Sequence, residues 1–208
     1  MKKTVGILIF PNIEVLDFCG PFEVFSVTRL NESERANDAS PFDVFLVAEK
    51  KETITTVGGM KVVPEHNLES CPRLDVLVVP GGIGARQQMT NLCLLQWIQA
   101  RSAEAELTTS VCTGSLILAS AGLLAEKRAT THWSVLDDMQ QRFPAVKVLR
   151  DQHVVEEGNI LTSAGISAGI DMALLVVKRY FGEAVARATA RRMEYPYPDS
   201  NARRVEIR

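Results

Sequence analysis

Short apolar runs alternate along this chain with longer stretches in which apolar side chains return every three or four positions. The first run, residues 4–10, reads Thr-Val-Gly-Ile-Leu-Ile-Phe and is closed by Pro11. It lacks polar alternation, which predicts a strand covered on both faces, as in a parallel sheet. The pattern recurs at 42–48 and 75–80, and 108–111 is read as a further short strand. Gly20-Pro21 precedes residues 22–30, which read as a helix with proline in its first turn. Residues 31–41 are polar and read as a loop. Residues 53–63 alternate weakly around Gly58-Gly59 and suggest a hairpin or short edge strands. Helices are expected at 91–101, 113–122, 132–143, 165–181 and 183–192, the last running into Tyr195-Pro-Tyr-Pro198. Short strands are expected at 128–131, 147–149, 154–155 and 159–163.

Strands that alternate with helices imply βαβ units. The fold class read from this order is α/β, a three-layer sandwich with a mostly parallel central sheet and helices on both faces. Sites in such folds form outside the carboxyl ends of the strands. No repeat, low-complexity tract or linker interrupts the pattern, so residues 1–208 read as a single domain.

Composition narrows the function classes. The chain is 46% hydrophobic, so a buried core rather than disulfides is expected to hold it. Net charge is −2, with only a few arginines gathered near the C-terminus, which argues against direct nucleic-acid binding. No apolar run reaches the roughly 18 residues of a membrane span. The opening Met1-Lys2-Lys3-Thr4 leads into too short an apolar stretch for a signal peptide, so a cytoplasmic location is the default expectation. Four cysteines occur without a C-x-x-C pair or a His/Cys spacing of the zinc type, so no metal site is expected. In a reducing compartment they are free thiols.

Cys112 closes one expected strand and opens the next expected helix. That places its sulfur where sites form, and helix-terminal N–H groups there favour a thiolate or hold a developing negative charge. Thr113-Gly114-Ser115 supplies the small residues that a tight nucleophile turn needs. A buried cysteine acting as a small hydrophobe is the alternative. Asp17, after the first strand, is either an acid–base group or a helix N-cap; Asp before Gly-Pro favours the cap. Gly81-Gly82-Ile83-Gly84 can bring backbone N–H groups beside the thiol but matches neither phosphate-loop nor dinucleotide fingerprints. His132, followed by Trp133, is either a base to Cys112 or a helix-start histidine with a structural hydrogen bond. Gly165-Ile166-Ser167-Ala168-Gly169 marks another tight turn able to bring backbone close to the sulfur. Cys19, Cys71, Cys93, His66 and His153 read as structural or surface residues.

Several segments together resemble the ThiJ/PfpI superfamily, whose fold is flavodoxin-like and similar to class I glutamine amidotransferases. They are Ile9-Phe-Pro11 through Asp17-Phe-Cys-Gly-Pro21, Val78-Val-Pro-Gly-Gly82, Ser110-Val-Cys-Thr-Gly114, Ala121-Gly-Leu-Leu124, Ala129-Thr-Thr-His-Trp133 and Ala164-Gly-Ile-Ser-Ala-Gly-Ile-Asp171. The resemblance points to the branch holding isonitrile hydratases and the amidase-like sensor domains of AraC-type regulators. Proteolytic members carry His directly after the nucleophile, where this chain has Thr113; deglycase-like and redox members carry Glu where Asp17 stands. The resemblance therefore implies an isonitrile hydratase-like lyase. Cys112 would attack the isonitrile carbon, Asp17 would move the proton and Thr113 would hydrogen-bond the pair. Gly81, Gly82, Ile83, His132, Trp133 and Ile166 would line the substrate pocket. It implies a small-molecule substrate, a homodimer, and no metal or organic cofactor. Its rivals are a ligand-sensing module without the regulators' DNA-binding region, and a redox or aldehyde-stress protein acting through Cys112.

Overall fold

The computed structural model describes residues 2–207. The first half of the chain forms β1 (Lys3–Leu8), α1 (Val15–Val27), β2 (Phe42–Ala48), β3 (Ile54–Thr55), β4 (Lys61–Val62), β5 (His66–Asn67) and β6 (Val76–Val79). Then come α2 (Ala85–Gln88), α3 (Leu92–Glu104), β7 (Leu107–Val111), α4 (Gly114–Ser120), β8 (Arg128–Ala129) and α5 (Leu136–Arg142). The rest is β9 (Lys147–Val148), β10 (Val154–Glu157), β11 (Ile160–Ser163), α6 (Ala168–Phe181) and α7 (Glu183–Arg192).

Seven strands make the central sheet in the order β10-β11-β7-β6-β1-β2-β5. All pairs are parallel except β10 with β11. The expected α/β class is the observed one. The apolar runs lie at its centre: Val5 stands opposite Val44 and Val76, and Ile7 opposite Leu46 and Val78. Val5, Ile7, Val76, Leu77, Val78 and Val79 have no exposed surface, because helices cover both faces. α1, α6 and α7 pack together on one face, and α2, α3 and α4 on the other. Among the described residues no helix is long and apolar enough to cross a membrane.

Four expected boundaries are corrected. α1 begins at Val15, so Pro21 lies inside the helix and not in its first turn. Proline there cannot donate to the carbonyl of Asp17, four residues back. The helix persists because Phe18, Val24 and Phe25 are buried and α1 packs on α6, which outweighs local propensity. The strand expected at 128–131 shortens to β8, which pairs with β9 in a separate two-stranded sheet. The helix expected from 132 opens with a 3-10 turn at Trp133–Val135, and α5 starts only at Leu136. The helix expected from 165 starts at Ala168. The 53–63 segment is the hairpin β3–β4, with positive φ at Gly58 and Gly59.

The chain leaves β1 towards β2 and β5, then returns to β6 and β7 on the other side. The crevice between β1 and β6 is thus the topological switch point, where such sheets bind ligands. Three turns meet there, after β1, β6 and β7, and they meet backbone to backbone. A Cβ on Gly114 would overlap the carbonyl oxygens of Val79 and Pro80. Gly114→Ala is therefore expected to lower stability by about 1–3 kcal/mol, as overpacking does. Urea unfolding checks this; an unchanged midpoint would mean that the turns are not locked together there.

Candidate active site

Cys112 sits between β7 and α4 with φ +56, a left-handed conformation that a non-glycine residue rarely adopts. Three contacts hold it. Its N–H donates to the Ala164 carbonyl at 3.0 Å. Its own carbonyl accepts from Ser115 Oγ at 3.1 Å and from Thr131 Oγ1 at 3.0 Å. The turn therefore aims the side chain back into the switch-point crevice, where it is 6% exposed.

Asp17 reaches the same crevice from the first turn of α1 and is fully buried. It is no N-cap: Glu14 holds that position, and Asp17 Oδ2 instead accepts the Gly81 N–H across the crevice at 2.9 Å. Among the described residues, buried Asp17 Oδ1 has no hydrogen-bond partner. Burial pushes the Asp17 carboxyl up to about 8; the Gly81 N–H opposes this, the charge of Glu14 adds to it, and the Cys112 thiol opposes it. Cys112 is pushed up to about 12, first by burial and then by the charge of Asp17. The backbone N–H groups of Thr113 and Ile166 and the Thr113 hydroxyl oppose that rise. The thiolate expected from helix-terminal N–H groups alone is thus overridden: α4 is only seven residues long, and desolvation beside a carboxyl outweighs it. Near neutral pH the resting pair is a carboxylic acid facing a thiol.

Thr113 ties the turns together. Its Oγ1 accepts the Gly82 N–H at 3.0 Å and donates to the Gly82 carbonyl at 3.1 Å. Gly81 leaves no room for a Cβ, which would meet the Thr113 nitrogen and hydroxyl. Gly82 has φ +116, and a Cβ there would strike the backbone of 12–14. Ile83, next in the loop, is 66% exposed. Ile166 has φ +42, a strained conformation for a β-branched residue, and its N–H faces the Cys112 sulfur. Strain of this kind persists only where surrounding contacts over-determine it.

Cys112, Asp17, Thr113, Gly81, Gly82 and Ile166 are brought together; His132 and Trp133 lie in a neighbouring cleft that shares Ile166. His132 caps the 3-10 turn, its Nδ1 2.8 Å from Ser134 Oγ and 3.3 Å from the Ser134 nitrogen. That is the structural alternative raised for it, and it makes no bond to the thiol. Burial and then Arg203 hold the imidazole below its ordinary pKa. His132, Trp133, Gly165 and Ile166 instead line a neighbouring cleft of about 200 Å³ together with Arg203. Three contributors escaped the sequence reading: Thr131 and Ala164, which hold Cys112, and Glu14, whose N–H donates to the Gly81 carbonyl at 3.0 Å. Thr131 and Ala164 did lie in motifs, but nothing in a linear pattern shows which carbonyl or hydroxyl faces a given turn.

Comparison with known proteins follows the same lines. The profile of the DJ-1/PfpI family matches residues 3–179. The chain is 37% identical, over 94% of its length and 79% of the relative's, to a Pseudomonas putida protein named isonitrile hydratase. It is 28% identical over 89% of its length to the HTH-type transcriptional regulator CdhR of Pseudomonas aeruginosa, of which it spans only 53%. A crystal structure of a ThiJ/PfpI family protein from Pseudomonas syringae superposes with a TM-score of 0.82 at 32% identity, covering 97% of this chain and 78% of that one.

A carboxyl held protonated in the fold but ionised in the unfolded chain makes stability fall as pH rises between the two pKa values. For Asp17 that window runs from 3.8 to about 8. Its contribution is complete below the window and gone above it, with a slope of up to about 1.4 kcal/mol per pH unit inside it. Urea unfolding from pH 4.5 to 8 should show this slope as the difference between the native protein and Asp17→Asn. Parallel curves for the two would mean that Asp17 is ionised in the fold.

Proposed function

The chain belongs to the DJ-1/PfpI family, and on that premise we propose that it is an isonitrile hydratase-like enzyme, converting a small isonitrile into an N-substituted formamide. The observation that carries the reading is a buried acid–thiol pair, Asp17 with Cys112, whose thiol has no histidine partner. A thiol without a histidine base suits an electrophile that gains a proton as it is attacked, more than a peptide whose leaving amine must be protonated. The 37% identity to a relative of that name supports the same choice.

The isonitrile carbon is attacked by the Cys112 sulfur while Asp17 gives that carbon its proton and takes the proton of the thiol. One S–C bond and one C–H bond form, giving a thioimidate, R–N=CH–S–Cys112. Water then adds across the C=N bond, with Asp17 giving its proton to the nitrogen and taking one from the water. The C–S bond then breaks, the hydroxyl proton passes to the sulfur, and R–NH–CHO leaves as Cys112 regains its hydrogen. One isonitrile and one water give one formamide. Negative charge on sulfur during attack and departure is met by the N–H groups of Thr113 and Ile166. The raised Asp17 suits the first step, since an acid must be protonated at working pH.

Purified protein incubated with aliphatic and aromatic isonitriles should release the matching formamides. Cys112→Ala should fall to the uncatalysed background, and Asp17→Asn should lose about 10²–10⁴ in kcat, the usual worth of a positioned acid. The rate should decline above pH 8 as Asp17 loses its proton. Equal formamide from the native protein and Cys112→Ala would refute the proposal.

A further inference from the structure

Residues 201–203 lie along the free edge of β10. The Asn201 carbonyl accepts the His153 N–H at 2.8 Å, and the Asn201 side chain bonds both backbone groups of Val154. Ala202 bridges Gln152, and the Arg203 N–H donates to the Asp151 carbonyl at 2.7 Å. This strap delivers Arg203 to the cleft that His132, Trp133 and Ile166 line.

The Arg203 guanidinium is fixed but not neutralised. Nε donates to the Arg150 carbonyl at 2.6 Å, and Nη2 donates to Thr130 Oγ1 at 2.6 Å and to the Thr131 carbonyl at 3.0 Å. All three acceptors are uncharged. Among the described residues no carboxylate lies within 4.0 Å of it, while its neighbour Arg204 is paired with Asp171 at 2.9 Å. Among the described residues the two N–H groups of Nη1 have no partner. Burial is the largest influence on Arg203 and pushes its pKa down; the charge of Arg150 adds to this and that of Asp151 opposes it. A half-buried cation without a counter-ion is unfavourable unless something else supplies the negative charge. The cleft borders the thiol: Ile166 lines it and also turns its N–H to the Cys112 sulfur.

From this geometry we infer that Arg203 is a specificity residue, binding the carboxylate of a short isonitrile acid whose isonitrile carbon reaches Cys112. The inference rests on the hydration reading given above. One open guanidinium end matches a single carboxylate oxygen better than a phosphate, which would call on more cations, and Arg204 is already engaged by Asp171. Trp133 and Ile166 give the connecting carbon atoms an apolar wall in a cleft of about 200 Å³, which sets a small upper size.

Two measurements test it. The first is the ratio of kcat/KM for isocyanoacetate over its methyl ester, read in one sample so that any loss of folded protein cancels. The native protein should favour the acid, and Arg203→Gln should lower the ratio about 10- to 100-fold, as a lost charge-assisted hydrogen bond does. Arg203→Lys should fall between them. A native ratio near one, or the same ratio in Arg203→Gln, would overturn the inference. The second needs no turnover: calorimetric binding of N-formylglycine against its neutral amide. The acid should bind at least about tenfold more tightly, and Arg203→Gln should erase the difference. Should no isonitrile be turned over, the hydration reading fails, and this second comparison still decides whether Arg203 holds a carboxylate. Equal binding of acid and amide would show that it does not.

Discussion

A carboxyl with no exposed surface faces a thiol that is 6% exposed; burial disfavours the ionised form of both, and the charge of Asp17 further opposes ionisation of the thiol. Desolvation is the main reason that both groups keep their protons, and two negative charges side by side in so dry a place would be costlier still. The local architecture follows from that constraint. Asp17 needs one backbone donor to orient it, and the Gly81 N–H supplies it at 2.9 Å. Cys112 needs its sulfur aimed inward, and the left-handed turn between β7 and α4 does this at the cost of an unfavourable φ. The Thr113 hydroxyl, both donor and acceptor to Gly82, fixes the distance between the two turns.

The strain at Cys112 and Ile166 is affordable because the sheet beneath is rigid. β1, β6 and β7 are adjacent and parallel, so their carboxyl ends present three turns in a row. Burial of their apolar side chains on both faces fixes those ends. Glycine then lets the turns approach closely: Gly81 against Thr113, and Gly114 against the carbonyls of Val79 and Pro80. The strap at 201–203 works differently. It uses backbone pairing along an edge strand to carry a cation to the rim, away from the rigid centre.

Much of this was legible in the sequence, for identifiable reasons. The apolar run 76–79 reads as a central strand, 107–111 reads as the next strand from its place between two helical segments, and a cysteine at the end of such a strand inherits its place at the crevice. Asp17 was placed in the right crevice but read from the wrong local pattern. Gly20-Pro21 looks like a helix start, yet burial of Phe18, Val24 and Phe25 carries the helix through the proline. His132 and Trp133 share a motif with the site but face the adjoining cleft, because the strand before them ends at Ala129 and pairs elsewhere. Arg203 was invisible as a site residue. Its position depends on pairing with Asp151 and Gln152, some fifty residues away in the chain, and it offered only a charge in a basic tail.

The coupling of Asp17 to Cys112 is the centre of the account, and the pH dependence of Cys112 alkylation measures it directly. Peptide mass spectrometry separates that thiol from Cys19, Cys71 and Cys93. Because the Asp17 charge raises the thiol, Asp17→Asn should move the onset of alkylation to lower pH than in the native protein. The same onset in both proteins would contradict the account, since it would leave Cys112 an ordinary buried thiol beside an unrelated carboxyl.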